Sequence, residues 1–224
     1  NLMYTCFAIV VAGMLSDVIA FFACWLLYRF DVNRFKKEKL YSKNTDFAME
    51  FFCREGDCKF VGYSLFQTQK GKYVGNILMP DEAIEEHLSA LGGTSIKQCL
   101  DDLKLWIAMF LDQHISPYYQ GYAGVDMMLV EEGGALHVHP CVELNLRMNM
   151  GCVSRIFYDR YVQNGKKGVF KVLSFRGYEE LKKFHEEKLL ERPLKLQGHK
   201  IVSGYLPLTY IKEGSLSLAC VWIG

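Results

Sequence analysis

From Leu136 to Arg147 the residues alternate between two chemistries, and a β-strand is the backbone that sends successive side chains to opposite faces. Leu136, Val138, Pro140, Val142, Leu144 and Leu146 fall on one face, and His137, His139, Cys141, Glu143, Asn145 and Arg147 on the other. One row suits a core. The other offers a carboxylate, an amide carbonyl and a guanidinium at steps of about 6.5 to 7 Å per two residues. On alternation alone such a row is the solvated side of an edge strand, its usual meaning in antiparallel sheets.

The preceding run, Gly121 to Val130, reads as a partner strand across the turn Glu131-Glu132-Gly133-Gly134. Asp126 on that arm can reach the same point as Glu143 and Asn145. Hard divalent cations such as Mg2+ take oxygen ligands, commonly one or two carboxylates with phosphate oxygens and water. Asp126, Glu143 and Asn145 meet that demand, and Arg147 lies beyond them, where a guanidinium can meet a phosphate oxygen.

The rest of the chain from about Tyr41 reads as an α+β protein with an antiparallel sheet flanked by helices. Phe47 to Cys53 and Phe60 to Thr68 form a hairpin around Arg54-Glu55-Gly56-Asp57, and the turn Gln69-Lys70-Gly71-Lys72 leads into a third strand, Tyr73 to Met79. A helix opens after Pro80 and closes at Gly92-Gly93; a second, capped by Ser95, runs from Ile96 to His114 and stops before Pro117. Leu100, Leu103, Ile107, Phe110 and Leu111 give this second helix an apolar stripe. Val153 to Val162 reads as helix, Val169 to Ser174 as strand, Tyr178 to Glu191 as a charged amphipathic helix, and Ile201 to Trp222 as two strands.

Residues 1–30 read as an apolar helix, and 2–28 is long enough, at about 1.5 Å per residue, to cross a bilayer. Asp17 stands against a span, at about 2.5 to 3.5 kcal/mol for a carboxylate mid-membrane. Residues 31–45 form a basic linker with Arg34, Lys36, Lys37, Lys39 and Lys43, which by the positive-inside rule would keep all that follows in the cytoplasm, anchored if 2–28 inserts. Lys and Arg number 26 against 25 Asp and Glu, so no global field draws the chain to nucleic acid. The scattered cysteines fit a reducing compartment. Cys53 and Cys58 bracket the first hairpin, where two separate thiols are favoured over a disulfide.

Gly124-Val125-Asp126-Met127-Met128-Leu129, a Gly turn and Cys141-Val142-Glu143-Leu144-Asn145-Leu146-Arg147 together resemble the paired metal-binding strands of the ATP-grasp superfamily, Glu-x-Asn-x-Arg being the most specific part. The resemblance extends, less specifically, from about Asp46 to Gly151. It implies that 46–224 is the catalytic, second subdomain of that fold, with Asp126, Glu143 and Asn145 holding the Mg2+, or Mn2+, that carries ATP, and Arg147 contacting phosphate. The family's first subdomain, with its phosphate-binding lysines and Gly-rich loop, would precede Asp46, where this chain has only the apolar and basic segments. The usual Pro after the Asn is Leu146 here.

The function so implied is an ATP- and Mg2+-dependent ligase that joins a small-molecule carboxylate to an amine through an acyl phosphate, if the nucleotide-gripping half is supplied. The rival expectation is a non-catalytic, membrane-tethered or truncated domain with at most metal or nucleotide binding. His137, His139 and Cys141 on one strand face form a weaker zinc or copper alternative, and Lys70 and Lys72 read as solvated turn residues.

Overall fold

Alternate apolar residues in Phe47–Cys53 demand a sheet covered on one face by helices, and the computed structural model, which describes residues 42–69 and 72–224, meets that demand. Strands β1 (Ser42–Arg54), β2 (Asp57–Gln69) and β3 (Lys72–Leu78) follow one another antiparallel, as expected. Helices α1 (Asp81–Gly92) and α2 (Thr94–His114) come next, then β4 (Gly121–Glu132), β5 (Ala135–Asn145) and α3 (Met150–Tyr161). The chain closes with β6 (Gly168–Ser174), α4 (Tyr178–Glu191), β7 (Lys195–Gln197), β8 (Lys200–Pro207) and β9 (Ser217–Ile223). All nine strands join one sheet in the order β5-β4-β1-β2-β3-β6-β9-β8-β7, with antiparallel neighbours throughout.

The main core forms where the odd residues of β1 (Phe47, Met49, Phe51) and of β4 (Val125, Met127, Leu129) meet Ile84 and Leu88 of α1 and Leu100, Ile107 and Leu111 of α2. A second cluster packs Phe157 and Tyr158 of α3 onto Leu78, Phe170, Val221 and Ile223. In β3 Ile77 faces the first cluster and Leu78 the second, so α3 lies on the face of the sheet opposite α1 and α2. Helix α4 covers Tyr205, Leu218 and Cys220 through Leu181, on the α1–α2 side.

Several boundaries differ from the sequence reading. Residues 42–45, assigned to the linker, are strand, because β4 pairs with them. Helix α2 starts at Thr94 behind Gly93, so Ser95 is not its cap; its hydroxyl donates to the Gly92 carbonyl at 3.2 Å instead. The short edge strand β7, with all three residues exposed, carries no periodic signal that would reveal it. Cys53 and Cys58 form a disulfide rather than two thiols: the turn at Glu55 and Gly56, both at positive φ, sets them directly opposite with Cα atoms 4.0 Å apart. The apolar segment 2–28, most of the basic linker, Lys70 and Gly71 lie outside the described residues. Among the described residues no helix is long and apolar enough to cross a membrane.

Phe47 has no exposed surface, whereas Leu105 on the outer side of α2 is 67% exposed. Phe47→Ala should therefore cost about 3 to 5 kcal/mol by urea denaturation, and Leu105→Ala should stay within about 0.5 kcal/mol. Equal costs would contradict this placement of the core.

Candidate functional site

The β4–β5 ladder sets Asp126 directly opposite Glu143 and Gly124 opposite Asn145, so the side chains of Asp126 and Asn145, 19 residues apart in sequence, become cross-strand neighbours. These residues share the face of the sheet that bears α3. Asp126, Glu143 and Asn145 line, with Arg147 and Asn149, a cleft of about 280 Å3 at the N-terminus of that helix.

The alternation read from sequence holds at both ends of β5 but not in its middle. His139 pairs with Met128 and Glu143 with Asp126, leaving Pro140, Cys141 and Val142 opposite Met127 alone. Pro140 has no N–H to give the ladder, and the strand bulges there. Two extra residues keep Glu143 and Asn145 in phase with His139, but within the bulge Cys141 packs against the core with Val138 and Leu144, while Val142 turns outward at 52% exposure. The expected His137-His139-Cys141 row is thereby broken, and among the described residues no group of three His, Cys, Asp or Glu side chains comes together as a metal site. Arg147 also departs from expectation. The strand ends at Asn145, and Arg147 rides on the connection into α3 while still lining the cleft.

Burial and then neighbouring acids set the electrostatics. Burial first, then the carboxylates of Glu50 and Glu143, push Asp126 up to about 7, while the Asn145 amide and Arg147 pull it back. Asn145 is only 3% exposed; its Nδ2 donates to Asp126 Oδ2 at 3.2 Å, and its Oδ1 has no hydrogen-bond partner. A buried carbonyl oxygen left without a donor is costly, and beside two carboxylates it completes an all-oxygen set of the kind Mg2+ takes. The residues present fit such an ion: two anionic oxygens sources, one neutral oxygen, and open space for phosphate and water.

Glu50 is a residue that sequence reasoning passed over. It sits on β1 between Gly62 of β2 and Gly124 of β4 and is fully buried. Ser64 Oγ donates to it at 2.9 Å, Asn149 Nδ2 at 3.1 Å and the Cys152 thiol at 3.0 Å. Burial raises its pKa against the opposing pull of those three donors. The available signal was a lone acid within the apolar run from Phe47 to Cys53, since Glu is almost never fully buried without partners.

No family model matches the chain, and no curated protein does. Among solved structures it is similar to N5-carboxyaminoimidazole synthetase from Staphylococcus aureus in complex with ADP, at 13% identity and TM-score 0.43, over 84% of this chain and 48% of that one. It is also similar to an L-amino acid ligase from Bacillus licheniformis, at 13% identity and TM-score 0.38, over 82% and 49%. A third is N5-carboxyaminoimidazole synthase from Aspergillus clavatus in complex with ADP and an aminoimidazole ribonucleotide, at 8% identity and TM-score 0.44, over 82% and 47%. The chain spans about half the length of these structures.

Asp126 holds its proton more tightly in the folded chain than the ordinary 3.8 of an unfolded carboxyl. In chelator-treated buffer, stability should then fall as pH rises from 3.8 toward about 7, because the folded state binds the extra proton across that window. Urea midpoints measured across this range should fall less steeply for Asp126→Asn. An unchanged slope would remove Asp126 as its source.

Proposed function

We propose that this cleft binds the Mg2+-laden phosphates of ATP, and that the chain contributes the metal-binding half of a ligase that joins a carboxylate to an amine through an acyl phosphate. The observation that carries the reading is the oxygen set itself: Asp126 opposite Glu143, with the buried, unpartnered Oδ1 of Asn145 beside them and Arg147 on the same cleft. The donor chemistry favours a hard cation and excludes a thiolate or imidazole site at this point.

In this reading Asp126 and Glu143 supply the anionic oxygens and Asn145 a neutral one. Mg2+, or Mn2+ in its place, would draw charge from the phosphate oxygens. Arg147 holds a fixed positive charge against a phosphate oxygen, and its place on a connection rather than a strand lets it follow the group being transferred. The N–H groups of Met150 and Gly151, which line the cleft at the start of α3, add donors for an anion, those of Cys152 and Val153 being taken by Asn149. No side chain in the cleft is assigned as a general base, since phosphoryl transfer from Mg2+-bound ATP depends chiefly on positioning and charge.

The nucleotide base and the carboxylate and amine substrates belong to the proposal as classes. Cytoplasmic ATP would be the phosphate source.

Isothermal titration of MgATP into the full chain tests the reading. Binding is expected, with affinity lowered at least about tenfold in Glu143→Ala, the usual scale for disrupting a metal site. Arg147→Ala should weaken nucleotide while leaving the binding of Mn2+ alone, followed by electron paramagnetic resonance, near that of the unaltered chain. Equal MgATP affinity for Glu143→Ala and the unaltered chain would sink the proposal.

A further inference from the structure

Among the described residues the Glu50 carboxyl accepts hydrogen bonds from Ser64 and from the first turn of α3 and its cap, so this buried group ties the middle of the sheet to the helix that ends at the cleft. Its oxygens divide the work. Oε1 takes the Ser64 hydroxyl, and Oε2 takes both the Asn149 amide and the Cys152 thiol. Asn149 in turn accepts the Cys152 N–H at 2.8 Å as the N-cap of α3. The cap residue is therefore gripped from both ends, by its own helix and by the sheet.

Two glycines make the close approach feasible. A Cβ on Gly151 would overlap Glu50 Oε1, and a Cβ on Gly124 would overlap Asn149 Nδ2 and Glu50 Oε2. The helix end thus rests directly on the carboxyl group, over a strand that has no side chain in the way.

The connection from β5 to α3 is anchored at both ends by this arrangement. At one end Asn145 donates to Asp126; at the other Asn149 donates to Glu50; Arg147 stands midway between them. We infer that Glu50 is a positioning residue for the anion-binding end of the cleft: through Asn149 it fixes the Arg147 connection and the first-turn amides of α3 where a polyphosphate group would be received. This assignment rests on the proposed phosphate-binding role of the cleft. It separates two jobs on one face, with Asp126, Glu143 and Asn145 toward the cation and Glu50, whose oxygens are taken by Ser64, Asn149 and Cys152, toward the frame that holds the anion.

The test uses the full chain with inorganic tripolyphosphate plus Mg2+ as one probe and Mn2+ alone as the other. Glu50→Gln replaces an acceptor with a donor against Asn149 or Ser64, and Asn149→Ser keeps a capping oxygen while losing the reach to Glu50. Each is expected to lower tripolyphosphate affinity about tenfold, the scale of one lost hydrogen bond to a charged group, to leave Mn2+ affinity within about twofold, and to speed amide exchange at residues 150–153. Faster exchange with unchanged tripolyphosphate affinity overturns the positioning role and leaves Glu50 a purely structural tie. Loss of Mn2+ affinity in either variant also overturns it, since the residue would then act on the cation. Failure of the unaltered chain to bind either probe defeats instead the reading of the cleft on which the inference stands.

Discussion

Burial of acids that a hydrogen-bonded ladder holds side by side is the constraint around which this face of the protein is arranged. The β4–β5 register leaves Asp126 and Glu143 no freedom to separate, and Glu50 adds a third carboxyl from the neighbouring strand. Burial first, and then that crowding, favour the protonated form, which is why Asp126 rises to about 7. With a divalent cation, the same closeness becomes an asset.

The architecture isolates this strain from the core. Odd-numbered residues of β1 and β4 meet α1 and α2 in a dry layer, while even-numbered ones carry Glu50, Asp126 and the glycines that let α3 come close. Strand parity therefore divides stability from chemistry. The glycines opposite Glu50 are the meeting point, since they remove side chains where the helix end must sit on the sheet.

Much of this was legible in the sequence. Alternation from Leu136 and the Gly turn at 133–134 led to a hairpin that brings Asp126, Glu143 and Asn145 into one cleft, and the strands and helices on either side follow from their apolar periods. What was not legible depended on register. The bulge at Pro140 removes Cys141 from the ligand row because three residues face Met127, and nothing local in the sequence says where a bulge will fall. Glu50 needed the same knowledge: only pairing with Gly62 and Gly124 turns a lone acid in an apolar run into a seat for α3. The Cys53–Cys58 bond likewise became apparent only once the turn placed them opposite each other.

Anomalous diffraction from crystals equilibrated with Mn2+ bears most directly on whether the acid pair is a cation site. The account expects one strong peak within ligand distance, about 2.0 to 2.2 Å, of a carboxylate oxygen from both Asp126 and Glu143, with Asn145 Oδ1 turned to it. A peak elsewhere, or none with those carboxylates left paired through a shared proton, would contradict it.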